Sequence, residues 1–277
     1  MNKIKVAICC PVYNCFDYTK EFINSIVSRH PVKLFIHDNG SKDGVYEWMK
    51  QLALPGKEIS VSHSEENLGI SKGANIALKN AMEDPEITHI IYSNNDVVFR
   101  KETVDALVWA WANRLDNNIV RISGPDVRLG NWESRERCWK YVSEYDSSAN
   151  MKLIYGGSYT CFIWDKFVIE KAGLLDENVD YYDDNIHAEE ILRRGLVSTT
   201  FQPAIYMHHG SGTTTRNPQD SSYFNHKSAQ DRDYAFKYFN VTSQAEIREA
   251  TERGRPLWTE RLEEISRYYK EIYKGEF

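Results

Sequence analysis

The chain has 277 residues, 42% of them hydrophobic and 27% charged, which is enough to bury a sizeable core and too apolar for a disordered polymer. A formal net charge of -6 leaves no surplus of Lys and Arg to neutralise a run of phosphates, so nucleic acid is not an expected partner. Five cysteines without a C-x-x-C pair do not make a disulfide framework; reduced, structural thiols are expected.

The first apolar run, Ile4 to Val12, is interrupted by Lys5 and lacks the form of a secretory signal. No stretch approaches the roughly 20 apolar residues that span a bilayer. The expectation is a cytoplasmic protein without a transmembrane segment, able to associate peripherally with the inner face of a membrane.

From Ile4 to Trp111 short apolar runs alternate with helical periodicity, the pattern of a parallel sheet covered by helices. Strands are predicted at Val6 to Cys10, Val32 to His37, Ile59 to His63 and His89 to Ser93. Between them Phe22, Ile23, Ile26 and Val27 share one helical face, as do Ile70, Ala74, Ala77, Leu78 and Ala81, then Val104, Leu107, Val108 and Trp111. Residues from about 126 to 151 show no clean period and read as a long loop or excursion with short strands. A strand near Tyr159 to Ile163, a helix around Asp184 to Arg194 and a strand ending near His208 follow.

After about Arg216 the chain turns to polar helices. Ser243 with Glu246 fits a capping box, and Trp258, Leu262, Ile265, Tyr269 and Ile272 form a helix seam. The seam suits packing on its own domain or, as second choice, a homodimer contact.

In open α/β sheets ligands bind beyond the carboxyl ends of the strands. That rule directs attention to Pro11-Val12-Tyr13-Asn14, Asp38-Asn39-Gly40 and Asn94-Asn95-Asp96. Asp96 just beyond a buried strand could meet a divalent cation on a diphosphate, with oxygen ligands suiting Mg2+ or Mn2+; read alone, the same triplet is equally a turn. The Asp38 carboxylate could accept the ring N–H of uracil or thymine, which cytosine lacks, or merely cap a helix. Glu66 to Asn75, with Asn67, Gly69 and Lys72, opens a helix whose free N–H groups can receive a phosphate, although it matches neither a P-loop nor G-x-G-x-x-G. Trp132, Trp139, Tyr141 and Tyr182 could stack on a sugar face, core packing being expected for at least half of them.

Pro11-Val12-Tyr13-Asn14, Asp38-Asn39-Gly40-Ser41-Lys42-Asp43-Gly44, Asn67-Leu68-Gly69 and Asn94-Asn95-Asp96, in that order, resemble the family 2 glycosyltransferases with the GT-A fold. Gly156-Gly157, Gly173 to Glu177, Tyr182-Asp183-Asp184 and Gly195 resemble the family's acceptor region. Pro203 to Gly212 resembles its late histidine motif.

The resemblance implies an open, mostly parallel sheet with a nucleotide-sugar half (1–97), an acceptor and catalytic half (98–215) and a helical extension (216–277). It implies inverting, metal-dependent transfer of a sugar, from UDP or dTDP foremost, to a hydroxyl of a glycan or other acceptor. Asp184 would be the base, with Asp183 as its alternative. Asp96 with His208, or His209 in its place, would hold Mn2+ or Mg2+. Pro11 to Asn14, Asp38, Asn67, Gly69, Lys72, Asn94 and Asn95 would bind nucleotide, and Gly157, Trp132 and Tyr182 the sugar or acceptor. The chain departs from the pattern at Asn94 and Asn95, where many relatives carry Asp, and at Ile186, where an acid often follows the base. A sugar nucleotidyltransferase or a non-catalytic binding module are the alternative readings. The first would need a basic Gly-rich loop that residues 11–18 do not contain.

Overall fold

The computed structural model describes residues 4–52, 56–145, 159–210, 221–252 and 254–275. Gly156, Gly157 and the expected boundary at 215–216 lie outside them.

Strand β1 (Val6–Val12) is buried along its whole length, as expected for a strand covered by helices on both faces. It pairs in parallel with β2 (Val32–Asp38) and β4 (His89–Ser93), and β2 pairs in parallel with β3 (Lys57–His63). The sheet continues through β8 (Cys161–Trp164), β6 (Ile119–Ser123) and β9 (Val197–Thr200), giving the order β3-β2-β1-β4-β8-β6-β9. Only β8 runs against its neighbours. The predicted mostly parallel sheet is therefore present. Strand order reverses between β1 and β4, so the chain diverges there and leaves a crevice at their carboxyl ends.

Helices α1 (Phe16–Ser25), α2 (Val45–Gln51), α3 (Ile70–Glu83) and α4 (Thr103–Ala112) supply the crossovers and cover. Along α3 the buried face is Gly73, Ala74, Ala77, Leu78 and Ala81, small enough to bring the helix close to β1 and β2. A Cβ at Gly73 would lie 2.5 Å from the Asn39 amide, so this glycine admits the loop after β2 against the helix.

A second sheet, β5 (Val97–Phe99), β10 (Tyr206–His208) and β7 (Asp126–Arg128), stands at the mouth of the crevice. Residues 135–144, expected to be irregular, form a helix, α5 (Arg135–Glu144). Ser134 caps it by accepting the Arg137 N–H, and only Cys138 and Val142, four residues apart, are buried. Two apolar contacts in ten residues are too few to show a period, which is why the helix is not legible in the sequence.

Helices α6 (Lys166–Ala172) and α7 (Asp183–Arg193) complete the second half. Among the described residues three further helices follow, α8 (Ser221–Phe239), α9 (Gln244–Glu252) and α10 (Gly254–Ile272). The capping box forms: Ser243 Oγ accepts the Glu246 N–H at 3.3 Å and the Glu246 carboxylate accepts the Ser243 N–H at 2.8 Å. Leu262, Ile265 and Tyr269 of the seam are buried in the chain's own core, and the Tyr269 hydroxyl donates to the Ala110 carbonyl of α4 at 2.7 Å. Each such large side chain contributes about 1.5–3 kcal/mol on burial. This part of the seam packs on its own domain. No helix among the described residues is long and apolar enough to cross a membrane.

Candidate active site

The crevice between β1 and β4 is a cavity of about 1000 Å³. Its walls bring together Pro11, Val12 and Tyr13 at the end of β1, Asn67 and Gly69 before α3, and Asn94, Asn95 and Asp96 after β4. His208 from β10 and Tyr182, Asp183 and Asp184 at the start of α7 face the same space. Residues separated by up to two hundred positions thus share one chamber because the strand ends and the second sheet meet there.

Asp96 and His208 form one pole. His208 Nε2 lies 3.3 Å from Asp96 Oδ2, while its Nδ1 lies 3.0 Å from Asp126 Oδ1. Asp126 also accepts from the Thr160 hydroxyl. Burial alone would lower the His208 pKa, but its bonds to Asp126 and Asp96 outweigh this and raise it to about 9. The two adjacent histidines point opposite ways, as side chains along a strand must. His209 stacks on Tyr18 at 4.1 Å and its Nε2 meets Glu21 at 3.0 Å, so it does not line the cavity.

Among the described residues no group of three or more His, Cys, Asp and Glu side chains is arranged to hold a metal. One carboxylate and one imidazole nevertheless fit a small divalent ion that takes only one or two protein ligands and draws the rest from phosphate and water. Asp126 on the far nitrogen fixes the ring so that Nε2 faces Asp96, the arrangement common behind metal-binding histidines.

The two asparagines are committed elsewhere. Asn95 donates from its amide to the buried Thr19 hydroxyl of α1 at 2.9 Å, which an aspartate could not do. Asn94 Oδ1 accepts from the Tyr92 hydroxyl at 2.8 Å.

Asp183 and Asp184 form the other pole. Tyr182, immediately before them, has φ 69°, a left-handed conformation costing a non-glycine residue roughly 1–2 kcal/mol. Burial, then the adjacent Asp184 and nearby Asp180, push the Asp183 carboxyl well above the usual carboxylate range. Asp184 opens into the cavity but is otherwise enclosed by protein; that enclosure raises its pKa, while the Asn185 N–H and the Arg121 charge pull it back. Arg121 is fully buried, its guanidinium 3.6 Å from the centre of the Tyr159 ring that lines the cavity.

Several residues singled out in the sequence lie off the cavity wall. Asp38 is wholly buried; its Oδ2 meets His63 at 2.7 Å and accepts the Ser41 N–H at 3.2 Å, leaving Oδ1 without a hydrogen-bond partner. Asn14 ties two loops together, its Oδ1 accepting from the Lys42 N–H at 2.8 Å. Lys72 is exposed. Trp132 packs on Tyr141 beside the small cluster under α5. The α3 amides that could receive a phosphate already hold a carboxylate: Ser71 N–H donates to Asp180 at 3.3 Å, and a Cβ at Gly69 would collide with that group. A phosphate there would have to displace Asp180.

Other lining residues carried no signal in the sequence. Asp126 and Arg128 sit in the irregular middle, and Lys227, Ser228 and Gln244 come from the C-terminal helices. Nothing in their local pattern marks them; only the fold brings them in.

The family model for glycosyl transferase family 2 matches residues 7–172, more than half of the chain. The chain belongs to glycosyl transferase family 2. It is a glycosyltransferase with the GT-A fold. Among solved structures it is similar to a mannosyltransferase from Pyrobaculum calidifontis in complex with GDP-Man and Mn2+, at 15% identity and TM-score 0.57 over 98% of this chain and 70% of that one. It is also similar to residues 1–349 of TarS from S. aureus in complex with UDP, at 15% identity and TM-score 0.55 over 99% and 76% of the two chains. Comparison with curated proteins finds no match. At such identities these structures support the fold of this family 2 glycosyltransferase, and its chemistry rests on its own residues.

Proposed function

We propose that this family 2 glycosyltransferase is an inverting, divalent-metal-dependent enzyme that moves a sugar from a nucleotide diphosphate to an acceptor hydroxyl. The observation that carries the reading is the presence in one cavity of a carboxylate–imidazole pair, Asp96 and His208, and a carboxylate pair, Asp183 and Asp184. Residues 1–97 would serve the donor, 98–215 the acceptor and chemistry, and 216–277 would extend the acceptor side.

Asp96 and His208 would hold Mn2+ or Mg2+, which when bound would neutralise charge growing on the leaving diphosphate. Pro11 to Tyr13, Asn67 and Gly69 would bracket the nucleotide. The buried, free Oδ1 of Asp38 favours uracil or thymine over cytosine if the base settles deeply enough to reach it. That makes UDP or dTDP the proposed carrier.

Across the cavity Asp184 would take the acceptor proton as the hydroxyl attacks the anomeric carbon from the face opposite the diphosphate, which inverts the configuration. A raised pKa suits this task, because a base must be ionised yet basic enough to pull a proton near neutrality. Tyr182 lines the same space, and its ring would stack on the sugar.

A panel of UDP-, dTDP- and GDP-sugars assayed with Mn2+ for nucleoside diphosphate release identifies the donor. Asp183→Ala and Asp184→Ala then assign the base: Asp184→Ala should abolish transfer, and near wild-type transfer by Asp184→Ala with none by Asp183→Ala would reverse the assignment.

A further inference from the structure

We infer that Asp231, in the C-terminal helix α8, is a positioning residue for the catalytic pair Asp183-Asp184, so that the helical extension is part of the catalytic apparatus. The inference rests on the proposed role of that pair. Asp231 is 1% exposed, and its Oδ2 accepts the backbone N–H groups of Asp180 at 2.8 Å and of Tyr181 at 3.0 Å. One turn earlier Lys227 pairs with the same carboxylate and donates to the Asn178 carbonyl at 3.3 Å. Residues 178–181 are thereby fastened to α8 by their backbone.

The fastening has a reason in the next residue. Tyr182 is left-handed, and a bulky residue keeps that conformation only where its surroundings over-determine it. From one side Asp180 reaches the Ser71 N–H of α3; from the other Asp231 holds the N–H groups of Asp180 and Tyr181. Helix α7 starts immediately afterwards with Asp183, so these two ties set where its first turn, and both carboxylates, enter the cavity. Helix α9 packs against α7 as well, which makes residues 221–252 a brace along the catalytic segment. A buried carboxylate spent on two consecutive loop N–H groups is costly to replace, since its loss orphans both donors.

Full-length wild type, Asp231→Ala, Asp231→Asn, Asp231→Glu and Asp184→Ala are compared by backbone hydrogen exchange and by Mn2+-dependent nucleoside diphosphate release on the UDP-, dTDP- and GDP-sugar panel. Asp231→Ala should speed exchange over residues 178–184 by about tenfold or more while leaving residues 89–99 unchanged. It should lower kcat roughly 10- to 100-fold with donor KM changed less, because the Asp96–His208 pair is untouched. Asp231→Asn, whose amide oxygen can still accept both N–H groups, should recover most of both. Should Asp231→Ala not fold, Asp231→Glu keeps the charge, displaces the carboxylate by one methylene and carries the same expectation in smaller size. Unchanged exchange over 178–184, or a loss confined to donor KM, overturns the inference. Asp184→Ala separates the two readings: transfer retained there sinks the base assignment, whereas transfer lost there with kcat unmoved in a folded Asp231→Ala sinks only the positioning role.

Discussion

The two poles of the cavity are held by different means. Asp96 and His208 sit at the ends of strands: β4 is locked in the main sheet, and β10 pairs with β5 on one side and β7 on the other. Ladders hold the His208 backbone and the strands on either side of Asp96, whose carbonyl accepts the His209 N–H at 2.8 Å, and Asp126 locks the imidazole. Asp183 and Asp184 follow an irregular loop whose Asp180 carboxylate accepts the Ser71 N–H of α3 and whose own N–H groups donate to Asp231 of α8, with a left-handed tyrosine at the junction. A ladder gives a pole that is rigid without help, while a loop gives one that depends on distant helices and can be tuned by them.

The contrast can be broken most severely at the loop pole. Asp184→Ala should reduce transfer by roughly 10²- to 10⁴-fold, the range for removing a general base, with donor KM little changed in steady-state assays. At the ladder pole Asp96→Ala should cost roughly 10²- to 10³-fold, the scale of removing one electrostatic stabiliser, and should raise the Mn2+ concentration needed for half activity.

A pH profile sharpens the same comparison. Burial raises both carboxyls of the loop pole, and repulsion from Asp184 raises Asp183 further; the base works ionised, so kcat should fall as pH drops through the raised value. The acidic limb should therefore lie above the ordinary carboxylate range of about 4. A limb at or below that range would show that the pair is not the base. The linkage has the opposite sign for stability. A carboxyl with a raised folded pKa contributes stability below its unfolded pKa and loses it as pH rises through the folded value. Asp184→Asn should consequently melt at a higher temperature than wild type at neutral pH and show little difference at pH 4, while losing activity. The smallest effect belongs to Asn95. Asn95→Asp removes the amide that Thr19 accepts and buries a charge, and should cost about 1–3 kcal/mol in denaturant unfolding without tightening metal binding.

The sequence exposes the ladder pole and half hides the loop pole, for a physical reason. Strands such as Val6–Val12 and His89–Ser93 write their burial in consecutive residues, and the turn residues beyond them mark the ligand edge, so Tyr13 and Asp96 can be found locally. His208 and the Asp183-Asp184 pair were reachable only through the family motifs that flank them. What supports them was not legible: Asp126 lies 82 residues from His208, and Asp231 lies 51 residues from Asp180. A single carboxylate on a polar helix looks like any solvated side chain until the fold buries it. The same limit applies to Lys72: its place beside two glycines suggests a phosphate site, and only the fold shows Asp180 on the Ser71 amide.

The central claim is that one cavity joins a cation-holding pole to a base, and chelation tests it most directly. With the donor that the panel identifies, nucleoside diphosphate release by the wild type should vanish on adding EDTA and return with Mn2+, and Asp96→Ala should recover little at the same Mn2+. Undiminished release by the chelated wild type, or equal recovery by Asp96→Ala, would contradict the account.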